Sequence, residues 1–424
     1  MRLALLHLRT SFTRWAVLPL AVLGVVIIFQ RNTFWIGIWP EAGAVVVASA
    51  FFLSLFAAGL SAWACARTDA FRVREQTAAT VRRPALLEAL RFSASLVWLL
   101  LAYAVVVTAA AVVTAREGAP GLDFYAGYTL LGLFLVVMAA AWGWAVGRVM
   151  GPAFAAATAF FSWFIFISLI GPPTQANPVS GPPWVTIELG VVTLRLVVLA
   201  IFCLAVCMLP AKAVAQKHRQ GLAAVAVMLA LVVTTMLNTT VLAPRAPVAA
   251  PLCIDRTITY CLWPEHQKYV SLVEEVDARV ATLPLDLDLP TRIVDYSLSS
   301  STVWGEDGIE REVAGTFDPE FDISEGSRWA LAQGVASAIT SSVFATCKVD
   351  DPIDPESGIE QVYAWLEYRL AGGGAQDYTT DAPDELQSAW AKGQQVAREL
   401  DDAEQAIWVA EVIRSTTTTY CSAS

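Results

Sequence analysis

Acidic side chains are scarce in the first 242 residues of this 424-residue chain, which hold 7 Asp and Glu against 16 Lys and Arg. None of these carboxylates lies inside the long apolar runs that fill this part of the sequence. Carboxylates within a membrane carry protons or sodium ions in coupled transporters. Their absence from the apolar runs therefore argues against ion-coupled transport.

Histidine is also rare, since only His7, His218 and His266 occur and all three lie outside the apolar runs. A Ser–His pair or a histidine metal site within the membrane is thereby excluded. The chain has neither a G-x-x-x-x-G-K-[ST] loop nor an H-E-x-x-H motif, the signatures of nucleotide hydrolysis and zinc proteolysis. We expect no catalytic residue, no metal site and no directly bound cofactor.

Seven apolar runs approach or exceed the roughly 20 residues that a helix needs to cross the hydrocarbon core of a bilayer. They predict a mostly α, polytopic helical membrane bundle. Arg195 is the only full charge within them, and we expect its side chain to snorkel outward or to pair with Glu188; a direct role in substrate passage is the alternative. The runs cover residues 15–30, 42–66, 93–114, 128–146, 153–170, 190–209 and 222–242.

Basic residues alternate between the loops. The N-terminal tail and the segments 67–91, 147–152 and 210–221 carry 13 Lys and Arg, whereas the other loops carry only Arg31 and Arg116. Positively charged loops stay in the cytoplasm. The pattern predicts a multi-pass cell-membrane protein with a cytoplasmic N-terminus. After seven spans, residues 243–424 would be extracellular.

Residues 243–424 are acidic, with 31 Asp and Glu against 12 Lys and Arg, a net charge of −19. We expect a mostly helical or α+β domain, with helices near 264–282, 325–345, 357–371, 383–399 and 402–415 and a capping box formed by Asp401 and Glu404. The charge suits a soluble surface beside anionic lipid, or attraction of a cationic peptide or another extracellular ligand. It argues against binding of nucleic acid.

Four cysteines occur in this acidic part, and an even number in an oxidising compartment fits two disulfides. Three pairings are possible, and four free thiols are the alternative. We favour Cys253–Cys261, a short local loop, and Cys347–Cys421, which ties down the end of the chain.

Three features of the membrane half concern contacts. Residues 1–14 predict an amphipathic helix lying on membrane lipid, or a simple charged anchor. The loop 67–91 is longer than cytoplasmic retention needs, and we interpret it as a docking element for a cytoplasmic partner. Glycines at four-residue spacing predict close helix packing within the bundle rather than a dimer contact. The docking residues are Arg72, Arg74, Arg82, Arg83, Pro84 and Glu88, and the glycines are Gly143, Gly147 and Gly151.

A family resemblance emerges from this layout. The amphipathic N-terminus, the long basic loop after the second span, the six spans and the Pro/Gly-rich segment 171–189 before the sixth resemble the membrane (permease) subunits of type-2 ATP-binding-cassette (ABC) transporters. The segments RNTFWIGIWPE and CLWPEH are similar to those of permease-like proteins of high-GC Gram-positive bacteria. The likeness covers residues 1–220.

The resemblance implies that loop 67–91 is the coupling loop, which inserts into a separate ABC ATPase subunit. ATP would be bound and hydrolysed by that partner, and a second permease subunit, identical or different, would complete the transporter. The cargo would be amphiphilic or peptide-like. The seventh span (221–242) and the extracellular domain (243–424) depart from the family pattern. They leave open a membrane-anchored binding or sensor protein whose acidic domain binds a ligand.

Overall fold

A computed structural model describes residues 2–70, 84–176, 178, 180–209, 215–246, 248–296, 298, 302–304, 310–312, 318–323, 325–345, 347, 358–373 and 384–421. They form two compact units, Met1–Arg245 and Ala246–Ser424. The predicted boundary at residue 243 falls within a short strand, Leu242–Pro244, which pairs with Val185–Ile187 and so belongs to the first unit.

The first unit is helical, and all seven predicted spans coincide with helices long and apolar enough to cross a membrane. This is the architecture of a multi-pass helical bundle. The helices are α1 (Arg2–Thr10), α2 (Val17–Arg31), α3 (Trp39–Ala70), α4 (Pro84–Ala115), α5 (Leu122–Val149), α6 (Pro152–Ile170), α7 (Leu189–Met208) and α8 (Ala215–Leu237), with a 3₁₀ turn at Phe12–Ala16 before α2. Strands β1 (Val185–Ile187) and β2 (Leu242–Pro244) pair antiparallel.

The helices cross in alternating directions, which gives the bundle two ends. We call the end that holds α1, the start of α4 and the end of α5 the basic end. The opposite end holds residues 32–38, 116–121, 171–188 and 238–245. The helices are longer than the predicted runs and add two buried carboxylates, Glu41 in the first turn of α3 and Glu88 in the second turn of α4.

Helices α3 and α5 form the centre of the bundle. In their most apolar stretches 72% and 67% of the residues are buried, whereas in α8 only 17% are. They approach closely because α5 presents glycine. A Cβ on Gly143 would collide with the Ala58 carbonyl, and one on Gly147 with the Ala62 carbonyl. The packing prediction is confirmed at these two positions. It is wrong for Gly151, which has no neighbour within 4 Å of a Cβ position and instead caps the start of α6.

The N-terminal segment is held against α4. The Trp98 indole donates to the Leu8 carbonyl at 3.0 Å, and the Thr13 hydroxyl lies 3.5 Å from the Ser95 carbonyl. The predicted helix over residues 1–14 is observed for Arg2–Thr10. Ser11 is extended and separates it from the 3₁₀ turn, so a single helix does not continue through residue 14.

The second unit has an α+β architecture. A four-stranded sheet has the order β3 (Leu252–Asp255), β4 (Thr259–Leu262), β5 (Arg292–Asp295) and β8 (Glu320–Phe321), antiparallel between β3 and β4 and parallel elsewhere. Strands β6 (Thr302–Trp304) and β7 (Glu310–Glu312) pair separately. The helices are α9 (Val270–Val280), α10 (Arg328–Val343), α11 (Ile359–Ala371), α12 (Asp384–Glu399) and α13 (Asp402–Tyr420), with a 3₁₀ turn at Pro264–Tyr269.

The helices and the capping box predicted for the acidic part of the sequence are present in this unit. The predicted helices correspond to α9–α13, and Asp401 and Glu404 form the predicted capping box at the start of α13. The Trp365 indole donates to Gln405 at 2.8 Å, and the Gln405 amide donates to Leu400 at 2.8 Å. A buried glutamine thereby holds α13 against α11 and the end of α12.

Replacing Gly143 by Ala should destabilise the first unit, because its methyl group meets the α3 backbone, which cannot rotate away. Overpacking of this kind typically costs about 1–3 kcal/mol. The measurement is the thermal unfolding midpoint of the purified protein in mild detergent, with Gly151→Ala as the matched control. We expect a lowered midpoint for Gly143→Ala and a near-native one for the control. Equal midpoints would contradict the α3–α5 contact.

Candidate functional site

The predicted docking loop lies partly outside the described residues. Arg72, Arg74, Arg82 and Arg83 fall within 71–83, which the structure does not describe. Pro84 is the first residue of α4, a position that suits its fixed φ and missing N–H. The structure therefore describes the two helical stems of the loop, the end of α3 and the start of α4.

Glu88 has a different environment from the one expected of a docking residue. It is 5% exposed. Its carboxylate lies 3.2 Å from Nη1 of Arg91 and 3.5 Å from Nη1 of Arg148 at the end of α5. Buried charges are retained where they are paired. Glu88 thus fastens the start of α4 to the end of α5, and this burial makes it unavailable for direct contact with a partner.

Arg195 is the most constrained charge at the opposite end, and the expectation for it is wrong. It is 1% exposed instead of snorkelling outward. Its Nη1 donates to the Thr174 carbonyl at 3.0 Å, its Nη2 to the Met236 carbonyl at 2.9 Å, and its Nε to the Thr239 hydroxyl at 3.2 Å. The Thr239 carbonyl also accepts from Nη2.

The acceptors explain why Arg195 does not reach for Glu188, whose side chain is exposed. The last carbonyls of a helix lack intrahelical donors and carry partial negative charge, which favours a cation. Met236 lies in the last turn of α8, and Thr239 follows it. Arg195 therefore caps the seventh span while holding the segment after α6.

Further hydrogen bonds, made by Gln175 and Glu41, hold the Pro/Gly-rich segment 171–189 in place. Gln175, which adopts a left-handed φ of 51°, accepts at Oε1 from the N–H groups of Val241 and Leu242 at 3.0 and 2.8 Å. Glu41 accepts from the Ser180 hydroxyl at 2.6 Å and from the Gly181 N–H at 3.1 Å. These contacts join α3, the 171–188 segment and the end of α8, where irregular backbone is satisfied by protein groups.

The second unit contains both favoured disulfides. Cys253 and Cys261 face each other across β3 and β4, and Cys347, beyond the end of α10, bonds Cys421 at the end of α13. Within the described part of the chain, no three His, Cys, Asp or Glu side chains are placed to hold a metal ion.

A buried His–Asp pair in this unit is the feature that sequence reasoning missed. Nδ1 of His266 lies 2.5 Å from Oδ2 of Asp295, and both side chains are 0% exposed. Asp295 ends β5, while His266 lies in the 3₁₀ turn before α9, and their separation of 29 residues leaves no local signal. Because neither side chain reaches the surface, we assign the pair to holding the turn against the sheet.

Comparison with family models, curated proteins and solved structures gave no significant match to this chain. The geometry of its own residues is therefore the basis for assigning a function.

Substituting Arg195 by Met should destabilise the junction of α7, α8 and the 171–188 segment, since three backbone carbonyls lose their donor. A single buried acceptor left unpaired costs on the order of 1–3 kcal/mol. We expect a clear fall in the unfolding midpoint in detergent, and faster proteolysis near residues 236–245. Arg116→Met, at an exposed position of the same end, is the control and should leave both unchanged. Matching behaviour of the two variants would contradict the capping role.

Proposed function

We propose that this chain is the permease subunit of an ABC transporter, which works with a separate ATPase to move an amphiphilic or peptide-like substrate across the cell membrane. The N-terminus and loop 71–83 would be cytoplasmic and residues 246–424 extracellular. One observation carries the proposal. The two longest helices of the first unit, α3 and α4, have 32 residues each and are joined by the basic loop 71–83.

The length of these helices supports a projecting loop. At about 1.5 Å per residue, each is about 48 Å long, compared with roughly 30 Å for the hydrocarbon core. Both helices therefore extend beyond the hydrocarbon. Tyr125 and Tyr128 of α5 are packed near the opposite end of the bundle. The helical turns of α3 and α4 that extend beyond the hydrocarbon at the basic end would present the loop arginines to a partner in water.

The packing at the base of the loop supports the transmission of force. Glu88 joins the start of α4 to Arg148 of α5, and the glycine contacts join α5 to α3. A close-packed interior transmits displacement rather than absorbing it. A movement imposed on loop 71–83 by an ATPase would be passed to the central helices together. This is what a coupling loop must do.

A membrane-anchored binding or sensor protein is the second candidate. It is favoured by the compactness of the second unit, which has its own sheet and two disulfides. In that case the seven helices would serve as an anchor. The two candidates differ in whether an ATPase is needed.

Reversing Arg72, Arg74, Arg82 and Arg83 to Glu should abolish the association with an ATPase subunit, because a basic docking surface becomes acidic. The measurement is the recovery of an ABC ATPase, and of ATP hydrolysis, with tagged protein purified from its native membrane in mild detergent. We expect recovery with the native chain and loss in the reversed variant. A native chain that brings down no ATPase would contradict the permease function and leave the sensor candidate.

Charge reversal can also invert the orientation of a membrane protein, so the experiment needs a matched control. Reversing Lys212, Lys217 and Arg219, which precede α8 or begin it, removes positive charge from the same end without touching loop 71–83. We expect this control to retain the ATPase. Labelling of an introduced surface cysteine in each variant checks that the orientation is unchanged.

A further inference from the structure

A cavity of about 360 Å³ lies at the basic end of the first unit, between the N-terminal segment and helices α3, α4 and α5. This volume is within the range of small-ligand sites. Its walls combine four basic side chains with three indole rings. The basic residues are His7, Arg14, Arg67 and Arg91, and the indoles are Trp15, Trp63 and Trp144.

The charge of this cavity has one sign. No Asp or Glu is among its lining residues in the described part of the chain. Among the described residues, Glu88 forms ion pairs with Arg91 of the cavity wall and with Arg148, and these three side chains together carry one net positive charge. Burial, followed by the charge of Arg91, lowers the pKa of His7 below its ordinary value, and Glu88 opposes the shift. An anion entering the cavity would meet favourable potential.

Two of the arginines are oriented by aromatic rings. The guanidinium carbon of Arg14 lies 4.7 Å from the centroid of Trp15, and that of Arg67 lies 4.9 Å from the centroid of Trp63. Nη1 of Arg14 also donates to the Arg9 carbonyl. A guanidinium held over an indole is restricted in orientation, and N–H groups not already engaged can donate in its plane. Planar guanidinium groups bind phosphate oxygens through paired N–H donors.

Two buried donors in the wall lack an acceptor. The Ser95 hydroxyl and the Trp144 indole N–H have no hydrogen-bond partner among the described residues, and each residue is 2% exposed. An unsatisfied buried donor costs about 1–3 kcal/mol, so such groups usually have a function or a missing partner. The hydroxyl and the indole N–H can each donate a hydrogen bond, so a ligand that pairs with both groups must present oxygen acceptors.

We infer that this cavity binds a phosphate group, with the Ser95 hydroxyl and the Trp144 indole as neutral donors and Arg14 and Arg67 as counter-ions. The phosphate can belong to a phospholipid headgroup or to a free phosphate compound. A lipid fits the surroundings, since Phe12 and Trp15 in the cavity wall are 44% and 68% exposed and offer apolar surface to acyl chains. The inference is independent of the permease assignment.

The double variant Ser95→Ala/Trp144→Phe tests the site without removing a charge. It deletes the two unpartnered donors while keeping the ring of residue 144, which packs edge-on against Phe92 at 5.5 Å. The native protein and the variant are purified in detergent and titrated with phosphatidylglycerol, phosphatidylcholine or inorganic phosphate. The readouts are retained lipid, by native mass spectrometry, and the shift of the unfolding midpoint on addition of each compound.

We expect the native protein to retain phosphatidylglycerol and to unfold at a higher temperature in its presence, and the double variant to retain at least fivefold less. Without added lipid, the variant should unfold somewhat earlier than the native protein, because Trp144→Phe removes buried ring atoms from the core. The test therefore compares the shift that each compound causes in each protein, and not the midpoints alone. Arg14→Gln/Arg67→Gln should lose binding as well. Stabilisation by the lipids alone identifies a headgroup, and equal stabilisation by inorganic phosphate identifies a free phosphate compound.

Trp142→Phe is the control, because the Trp142 indole N–H already has an acceptor, the Ser162 hydroxyl at 3.0 Å, and this residue is not part of the cavity wall. It should retain as much phosphatidylglycerol as the native protein. Unchanged binding of all three compounds in both double variants would overturn the inference. So would the absence of any effect of these compounds on the native protein.

Discussion

Arg195 carries the only guanidinium within the predicted apolar runs, and it organises the opposite end of the bundle. Inside an apolar helical bundle no water replaces a missing acceptor, so a buried cation is stabilised when its donors find oxygen within the protein. The acceptors come from the segment after α6 and from the end of α8. The seventh span, α8, is thereby attached to α7 through the carbonyl groups at its own C-terminal end, which accept hydrogen bonds from Arg195. With Gln175 and Glu41, this produces one connected end in place of loose loops.

The same constraint acts at the basic end with a different result. Glu88 accepts a hydrogen bond from Arg91 and forms an ion pair with Arg148 at 3.5 Å, and this pair attaches the start of α4 to the end of α5. The nearby Ser95 and Trp144 donors are left without acceptors. Other buried hydroxyls of the first unit, those of Ser61, Thr114 and Tyr128, also have no hydrogen-bond partner among the described residues. Ser95 and Trp144 differ from them because both line a cavity with basic walls. At both ends of the bundle, the positions of buried polar groups and their partners determine which helix ends are held together.

Most predictions from local patterns agree with the structure, although the glycine spacing fails at Gly151 and the N-terminal helix ends at Thr10. Span positions depend on the apolar composition of about 20 consecutive residues, and the seven runs correspond to α2–α8. The capping box of Asp401 and Glu404 depends on residues three apart. A short separation predicts Cys253–Cys261 and the position of Cys421 near the chain end predicts Cys347–Cys421, and both disulfides are present. The charge of loop 71–83 predicts docking, but the geometry of those arginines is not described.

By itself the sequence predicted a seven-helix membrane bundle followed by an acidic unit, either helical or α+β, with two favoured disulfides, because apolar runs, caps and cysteine spacing act over short distances along the chain. Only the tertiary structure decided which helix ends meet. Arg195 lies at the end of α8 instead of pointing outward, and Glu88 is buried between two arginines. Gly151 does not share the helix contact of Gly143 and Gly147. His266 is paired with Asp295. In each case the partner of a polar or small residue lies on an element distant in sequence. Close packing and the need to satisfy buried groups select that partner, and neither leaves a periodic signal in the chain.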